Sequence, residues 1–207
     1  MSKKKLILHH ATTLFARKGF RETSMAEVSE LSGVASATIF YHFASKEELL
    51  IAIVERVKGL ILRRFEQYAR NHKFGSGILA VREAITYYLG VAADMEDEFL
   101  LLHRHCLYQL AEVNPVCRSH LEEIYTRLVD IIESAINEGR RDGSIGPVPP
   151  HKTALILFST VDGMARFNTY KLYDAGALYH QLMECCDRIL APRTCTAGNH
   201  DSKSQQS

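Results

Sequence analysis

A chain of 207 residues, 46% hydrophobic and 24% charged, carries enough apolar surface for one or two folded domains, which excludes a mainly disordered chain. Five prolines and twelve glycines exclude a collagen-like or linker-dominated one. The net charge of +1 is uneven: residues 1–60 hold nine Lys/Arg against six Glu, and the remainder holds 16 basic against 18 acidic side chains. A basic leading end suits a surface that faces nucleic acid, and equally an ordinary solvated surface.

The five cysteines, Cys106, Cys117, Cys185, Cys186 and Cys195, are odd in number and form no C-x-x-C pair. The apolar run Leu6-Ile7-Leu8 ends at His9, too short for the core of a secretory signal. The longest apolar run, Leu49 to Val54, falls far below the roughly 18 residues of a membrane span. These features predict a reduced, soluble, cytoplasmic protein without membrane contact.

Nearly every segment has the helical period, so the expected fold class is all-α. The first helix is expected from about Ser2 to Lys18, with Ile7, Ala11, Leu14 and Phe15 inward and Gly19 beyond its end. The box Ser24-Met-Ala-Glu27 opens a second helix, with Met25, Val28 and Leu31 inward and a stop at Gly33. A short third helix covers about Ser36 to His42, with Ile39 and Phe43 toward the core. Ser45-Lys-Glu-Glu48 opens a fourth, running to about Arg70, and residues 71–77 read as a linker. Further helices are expected over about 78–93, 94–113, from 115 to a close at Gly139 or Gly143, 151–173 and 176–190, with Asn114-Pro115 as a cap and first-turn pair. The Ser/Gln-rich residues 193–207 read as a disordered tail.

Two short helices joined through Gly33 and Val34 suit a helix-turn-helix, whose second helix enters the major groove of DNA. A small helical hairpin without a partner has the same spacing. The residues themselves decide between the two. Leu14-Phe-Ala-Arg-Lys-Gly-Phe20, Thr23-Ser-Met-Ala-Glu-Val28, Gly33-Val34 and Thr38-Ile-Phe-Tyr-His-Phe-Ala-Ser-Lys-Glu-Glu-Leu49 resemble the DNA-binding domain of the TetR family of bacterial transcriptional regulators. The resemblance implies a helix-turn-helix domain over 1–61 and a helical effector-binding and dimerisation domain over 62–192. It implies a homodimer on a palindromic double-stranded operator, most often a repressor released by a small molecule. Ser36 and Ala37 fall where the family reads base edges; Thr23, Ser24, Thr38, Tyr41, His42 and Lys46 fall where it meets phosphates. Phe40 stands where Tyr is commoner, Ala35 where a Ser cap is usual, and Ala37 where Gly is frequent.

In the body the resemblance points to a cavity among the fifth to eighth helices. Tyr87, Tyr88, His103, Tyr125, Phe158 and Asp162 are polar or aromatic residues on its apolar faces and are candidate effector contacts. Asp162 and Arg166, four apart, could instead pair with each other. His103 with Cys106, and Cys117 with His120, are i, i+3 pairs on successive helices, so a metal- or thiol-responsive regulator is the alternative. No phosphate-binding Gly loop, G-x-S-x-G or H-E-x-x-H occurs, so neither an enzyme nor a cofactor is expected. The run Ala154-Leu-Ile-Leu-Phe158 is apolar around its whole circumference. It predicts a four-helix dimer seam made with the last helix, with Leu157, Leu178, Leu182, Cys185 or Cys186 and Ile189 on the shared faces.

Overall fold

The computed structural model describes residues 2–174 and 176–192, and all regular elements among them are helical. The expected tail, with Cys195, lies outside the described residues. The amino-terminal part contains α1 (Lys3–Arg17), α2 (Met25–Ser32) and α3 (Ser36–His42), followed by the long α4 (Lys46–Asn71). Ile7, Phe15, Val28, Ile39, Phe43, Leu49, Ile53 and Val54 bury a common core there, which we call the head. Three side-chain caps fix where its helices start: Ser2 accepts from the Lys5 amide, Ser24 from Glu27 and Ser45 from Glu48. Gly33 ends α2 at φ 65°, a left-handed turn that a residue with a Cβ resists. Leu31, expected inward, is 48% exposed because the eight-residue α2 presents only Val28 and Ser32 to the core.

The body is built from α5 (Gly77–Asp94), α6 (Glu96–Leu102), α7 (His105–Val113), α8 (Pro115–Asp142), α9 (Pro150–Thr169) and α10 (Tyr179–Leu190), the last preceded by a 3₁₀ turn. Asn114 caps α8 with Pro115 in its first turn, as the sequence predicts, and Gly143 closes it in the left-handed region. α5 crosses α8 at Gly77 and Gly139. A Cβ on Gly77 would stand 2.0 Å from the Gly139 nitrogen, so the crossing requires glycine. α4 belongs to both parts: its first half completes the head core, and Phe65 in its second half packs into the body. The boundary expected at residue 61 therefore falls inside a continuous helix.

Three expectations change. The single helix over 94–113 is two helices, because Arg104 leaves the helical region (φ −75°, ψ 133°). That turn lets its Nε donate to the Ala16 carbonyl at 2.9 Å, closing the end of α1. The helix expected to reach Tyr173 ends at Thr169. Leu157 and Leu182, assigned to a seam between chains, are buried inside this one at 2% and 5% exposure. The outward large apolar residues of the same two helices are Leu155, Ile156, Phe167, Tyr179 and Ile189.

Head and body are joined by charge as well as by α4. Asp97 accepts from Thr13 at 2.8 Å and from Arg17 Nε at 2.7 Å, and Glu98 lies 3.6 Å from Arg56. The acidic run Glu96 to Glu98, which reads in sequence as first-turn charge, is thus also the body's grip on the head.

Candidate DNA interface and effector site

On the head, α3 projects Ser36, Ala37, Phe40 and Tyr41 outward, Tyr41 at 84% exposure, while Ile39 and Phe43 anchor its opposite face. Thr38 and His42 sit half-buried at the edges. Ala35 gives α3 no side-chain cap, so the first amides of this helix remain free donors. The same holds for Met25 and Ala26 of α2, since the Ser24 box occupies the amides of Ser24 and Glu27. Glu27 is held down at about 2 by the Lys18 ammonium and then by the Ser24 amide and hydroxyl, which keeps the box ionised.

Thr23 departs from its expected role. Its side chain is buried and donates to the Gly19 carbonyl at 2.7 Å, so the hydroxyl serves the α1–α2 turn rather than a phosphate. Lys46 is half-committed: Nζ lies 2.9 Å from the Thr23 carbonyl and 4.6 Å from the Phe20 ring centre. An ammonium has three donors, and the second is directed to the Arg21 carbonyl at 3.3 Å. Lys4, which the sequence did not single out, stands 5.7 Å from the Phe43 ring centre, bringing a cation beside the end of α3. No local pattern marks it, because the approach depends on how α1 crosses α3.

In the body, five of the six candidate effector residues converge. Tyr88 donates to Asp162 Oδ1, and His103 Nε2 lies 3.2 Å from the same oxygen. Phe158 packs edge-on against Tyr88 at 5.5 Å between ring centres and against Tyr125 at 6.0 Å, and Tyr125 shares a 2.8 Å hydrogen bond with Tyr108. Burial and the facing carboxylate push the Tyr88 hydroxyl well above its ordinary range. Tyr87 does not join them. It stacks on Tyr68 at 4.0 Å and donates to the Arg64 carbonyl, bracing α5 against α4. Asp162 makes no direct hydrogen bond or ion pair with Arg166 either; its Oδ1 is shared by Tyr88 and His103.

A cleft of about 520 Å³ opens between α4, α5 and α8, with Phe65, Tyr68, Phe74, Ala84 and Ile131 on its walls and Lys73 and Glu138 at its edge. Phe65, Ala84 and Ile131 also line a small gap that ends at Tyr88 and Phe158, so the cleft leads toward the polar cluster. Phe65, Phe74 and Ile131 line this cleft although in sequence they read as core or linker.

The proposed metal ligands stay apart. His103 is bound to Asp162, and Cys117 is buried with Sγ 3.9 Å from the Leu107 carbonyl. His120 faces α4, where burial and then Lys58 push its imidazole below the ordinary value. Among the described residues no group of three or more His, Cys, Asp or Glu is placed to hold a metal. Burial also raises both thiols, Cys106 and Cys117, away from the reactive thiolate form.

Burial raises the Asp162 pKa, but the His103 hydrogen bond and charge, with the Tyr88 hydroxyl, bring it below the ordinary value. The stability this lends is complete above the ordinary aspartate pKa of about 4 and is lost as pH falls through the lower folded value. Asp162→Asn removes that ionisation. Acid titration followed by circular dichroism should show the wild type losing more stability than the variant between about pH 5 and pH 3. Parallel losses would show that the carboxylate is not held ionised by its partners.

Residues 7–53 match the family model described as bacterial regulatory proteins, tetR family. The HTH-type transcriptional regulator RutR of Escherichia coli (strain K12) is 26% identical over 195 residues, covering 91% of this chain and 89% of the relative. A transcriptional regulator of Saccharomonospora viridis, solved in complex with choline, superposes with a TM-score of 0.78 at 22% identity over 92% of this chain and 98% of its own. FadR of Bacillus subtilis, solved with stearoyl-CoA, superposes at 0.72 and 20% identity over 90% and 98%. No described helix is long and apolar enough to cross a membrane. With residues 7–53 matched by the tetR family model and 91% of the chain aligned with an HTH-type regulator, the chain is a DNA-binding transcriptional regulator similar to those of the TetR family.

Proposed function

We propose that this regulator is a cytoplasmic repressor that binds a palindromic operator as a homodimer and releases it when a small molecule enters the body. The domain division follows: a DNA-binding head over 1–61 and an effector-binding, dimerising body over 62–192. Ser36 and Ala37 take the base-reading positions; Ser24, Thr38, Tyr41, His42 and Lys46, with Lys4 added, take the phosphate-facing ones. Phe40 offers an apolar edge to the groove instead of a hydroxyl.

The observation that carries the effector half is the cleft against α4, whose walls at Phe65, Ala84 and Ile131 continue into a narrow gap reaching Tyr88 and Phe158, the neighbours of Asp162. α4 is shared by both parts, so a molecule that separates it from α5 and α8 shifts the head. The cluster presents one carboxylate among the rings of Tyr88, Phe99 and Phe158. Such a site favours an effector with an apolar stem and a cationic or hydrogen-bond-donating end over one ending in an acid. The ligands named for the two solved relatives, choline and stearoyl-CoA, support a body that holds organic molecules while leaving their class open.

Linked binding of effector and operator is reciprocal and amounts to about 5–150-fold in affinity for typical allosteric proteins. A panel of alkylamines and alkyl carboxylates of matched length separates the two end chemistries in a thermal-shift experiment. An alkylamine should raise the melting temperature and lower operator affinity within that range, and Asp162→Asn should remove both effects. Stabilisation by the carboxylates alone, or binding that leaves operator affinity unchanged, would contradict the assignment.

A further inference from the structure

A second cleft, of about 420 Å³, opens where head meets body, between the α1–α2 turn, the α6–α7 break and the end of α9. Its wall brings together Arg21 from the head and Arg104 and Arg166 from the body, with His103 and His105. Among the described residues, Glu22 is the single acid of that wall. Three arginines lining one concavity with a single acid among them give it a positive potential that favours an anion. Arg104 spends part of its fork on the α1 carbonyls, and the natural i−4 partner of Arg166, Asp162, is turned inward to Tyr88 and His103. α7 begins in the same wall with no side-chain cap, which leaves its first-turn amides without partners inside the helix.

His103 also lines the cleft. The residue is more than nine-tenths buried, with Nε2 turned into the body toward Asp162 and Nδ1 lacking any partner.

We propose that this cleft is a second ligand site, distinct from the apolar cleft of the body, and that it takes a small polyanion bearing phosphate or carboxylate groups. The anion is gripped by Arg21 on one side and by Arg166, Arg104 and the start of α7 on the other. It therefore ties the head to the body. The volume suits a di- or tricarboxylate or a small phosphate ester, at the lower end of the usual range for ligand pockets. Arginine's planar fork matches either group in two-point contact.

Isothermal titration of the full chain with pyrophosphate and, separately, with citrate tests the phosphate and carboxylate forms. One or both should bind with one site per chain. Arg166→Gln, an exposed substitution, should weaken that binding about tenfold or more. Glu22→Gln should tighten it by up to about fivefold, by removing the opposing charge. These opposite signs would not arise from a merely structural role, and thermal melts of both variants establish that they fold. The proposal is overturned if neither anion binds, or if both variants bind like the wild type. It is also overturned if duplex DNA of arbitrary sequence displaces the anion while Arg166→Gln loses DNA and anion together, since the cleft would then belong to the DNA footprint.

Discussion

Placing Glu at both Ile156 and Ile189 is expected to give a folded monomer that has lost at least about 100-fold in operator affinity. Two heads joined in one dimer gain on the order of 10²–10⁴ over a single head, and the loss follows from breaking that link. On α9, Ile156, Thr160, Gly163 and Phe167 recur at helical spacing along one outward stripe, with Ile156 at 59% and Phe167 at 40% exposure. α10 adds Ile189 at 43%. A Cβ on Gly163 would meet nothing within 4 Å, so the middle of the stripe leaves room for a second backbone to approach. Because both isoleucines are exposed within the chain, the variant should keep its own stability to within about 0.5 kcal/mol. Glu at Leu157 or Leu182 would instead bury a charge in the chain's own core and unfold it. Sedimentation velocity reads the outcome: a monomer with an unchanged melting temperature is expected, and a persisting dimer would relocate the seam.

The contrast between Ile156 and Leu157 shows where sequence patterning ran out. Ala154 to Phe158 is apolar on all sides, so periodicity announces burial all round but cannot say which neighbours lie in the same chain. The head was far more legible. Ser24 with Glu27, and Gly33, act within a single turn of backbone and do in space what their spacing implies; Ser45 caps the Glu48 amide, but the reciprocal half of that expected box goes to the Ala44 amide instead of Ser45. Asn114 and Pro115 succeed for the same reason. The break at Arg104 carries no Gly or Pro signal, because its cause is a carbonyl of Ala16, 88 positions away. Thr23 turns inward for a carbonyl of its own turn, a choice a short hydroxyl makes from packing rather than pattern. Tyr87 and Tyr88 are adjacent and alike in type. Only the placement of α4 and α9 on either side of α5 decides that one braces a helix and the other meets Asp162.

The second large effect concerns the DNA-facing surface. Tyr41→Ala and Lys4→Ala should weaken binding to all sequences alike, each by about tenfold, since contacts to phosphate carry no sequence information. Lys46→Ala should do the same and also lower head stability, because its ammonium holds the Arg21 and Thr23 carbonyls. Substitutions at Ser36 or Ala37 should change which base pair is preferred, by about 1–3 kcal/mol at one position of each half-site. Equal effects of Ser36 and Lys4 variants on sequence preference would mean that α3 does not lie in the groove as assigned.

Two cationic contacts per head, Lys4 and Lys46, make four per dimer. At about 0.9 counterion released per neutralised phosphate, the logarithm of the affinity should fall with the logarithm of salt at a slope of about −3.6. The measurement that bears on this most directly uses the purified full chain to select fragments from genomic DNA, followed by titration of the recovered sequence at about 50 and 200 mM salt. A recovered palindrome, bound by two chains and weakened about 150-fold across that salt range, is the expected result. Recovery of no sequence above background, or an affinity indifferent to salt, would contradict a head that grips DNA through α3 and its flanking cations.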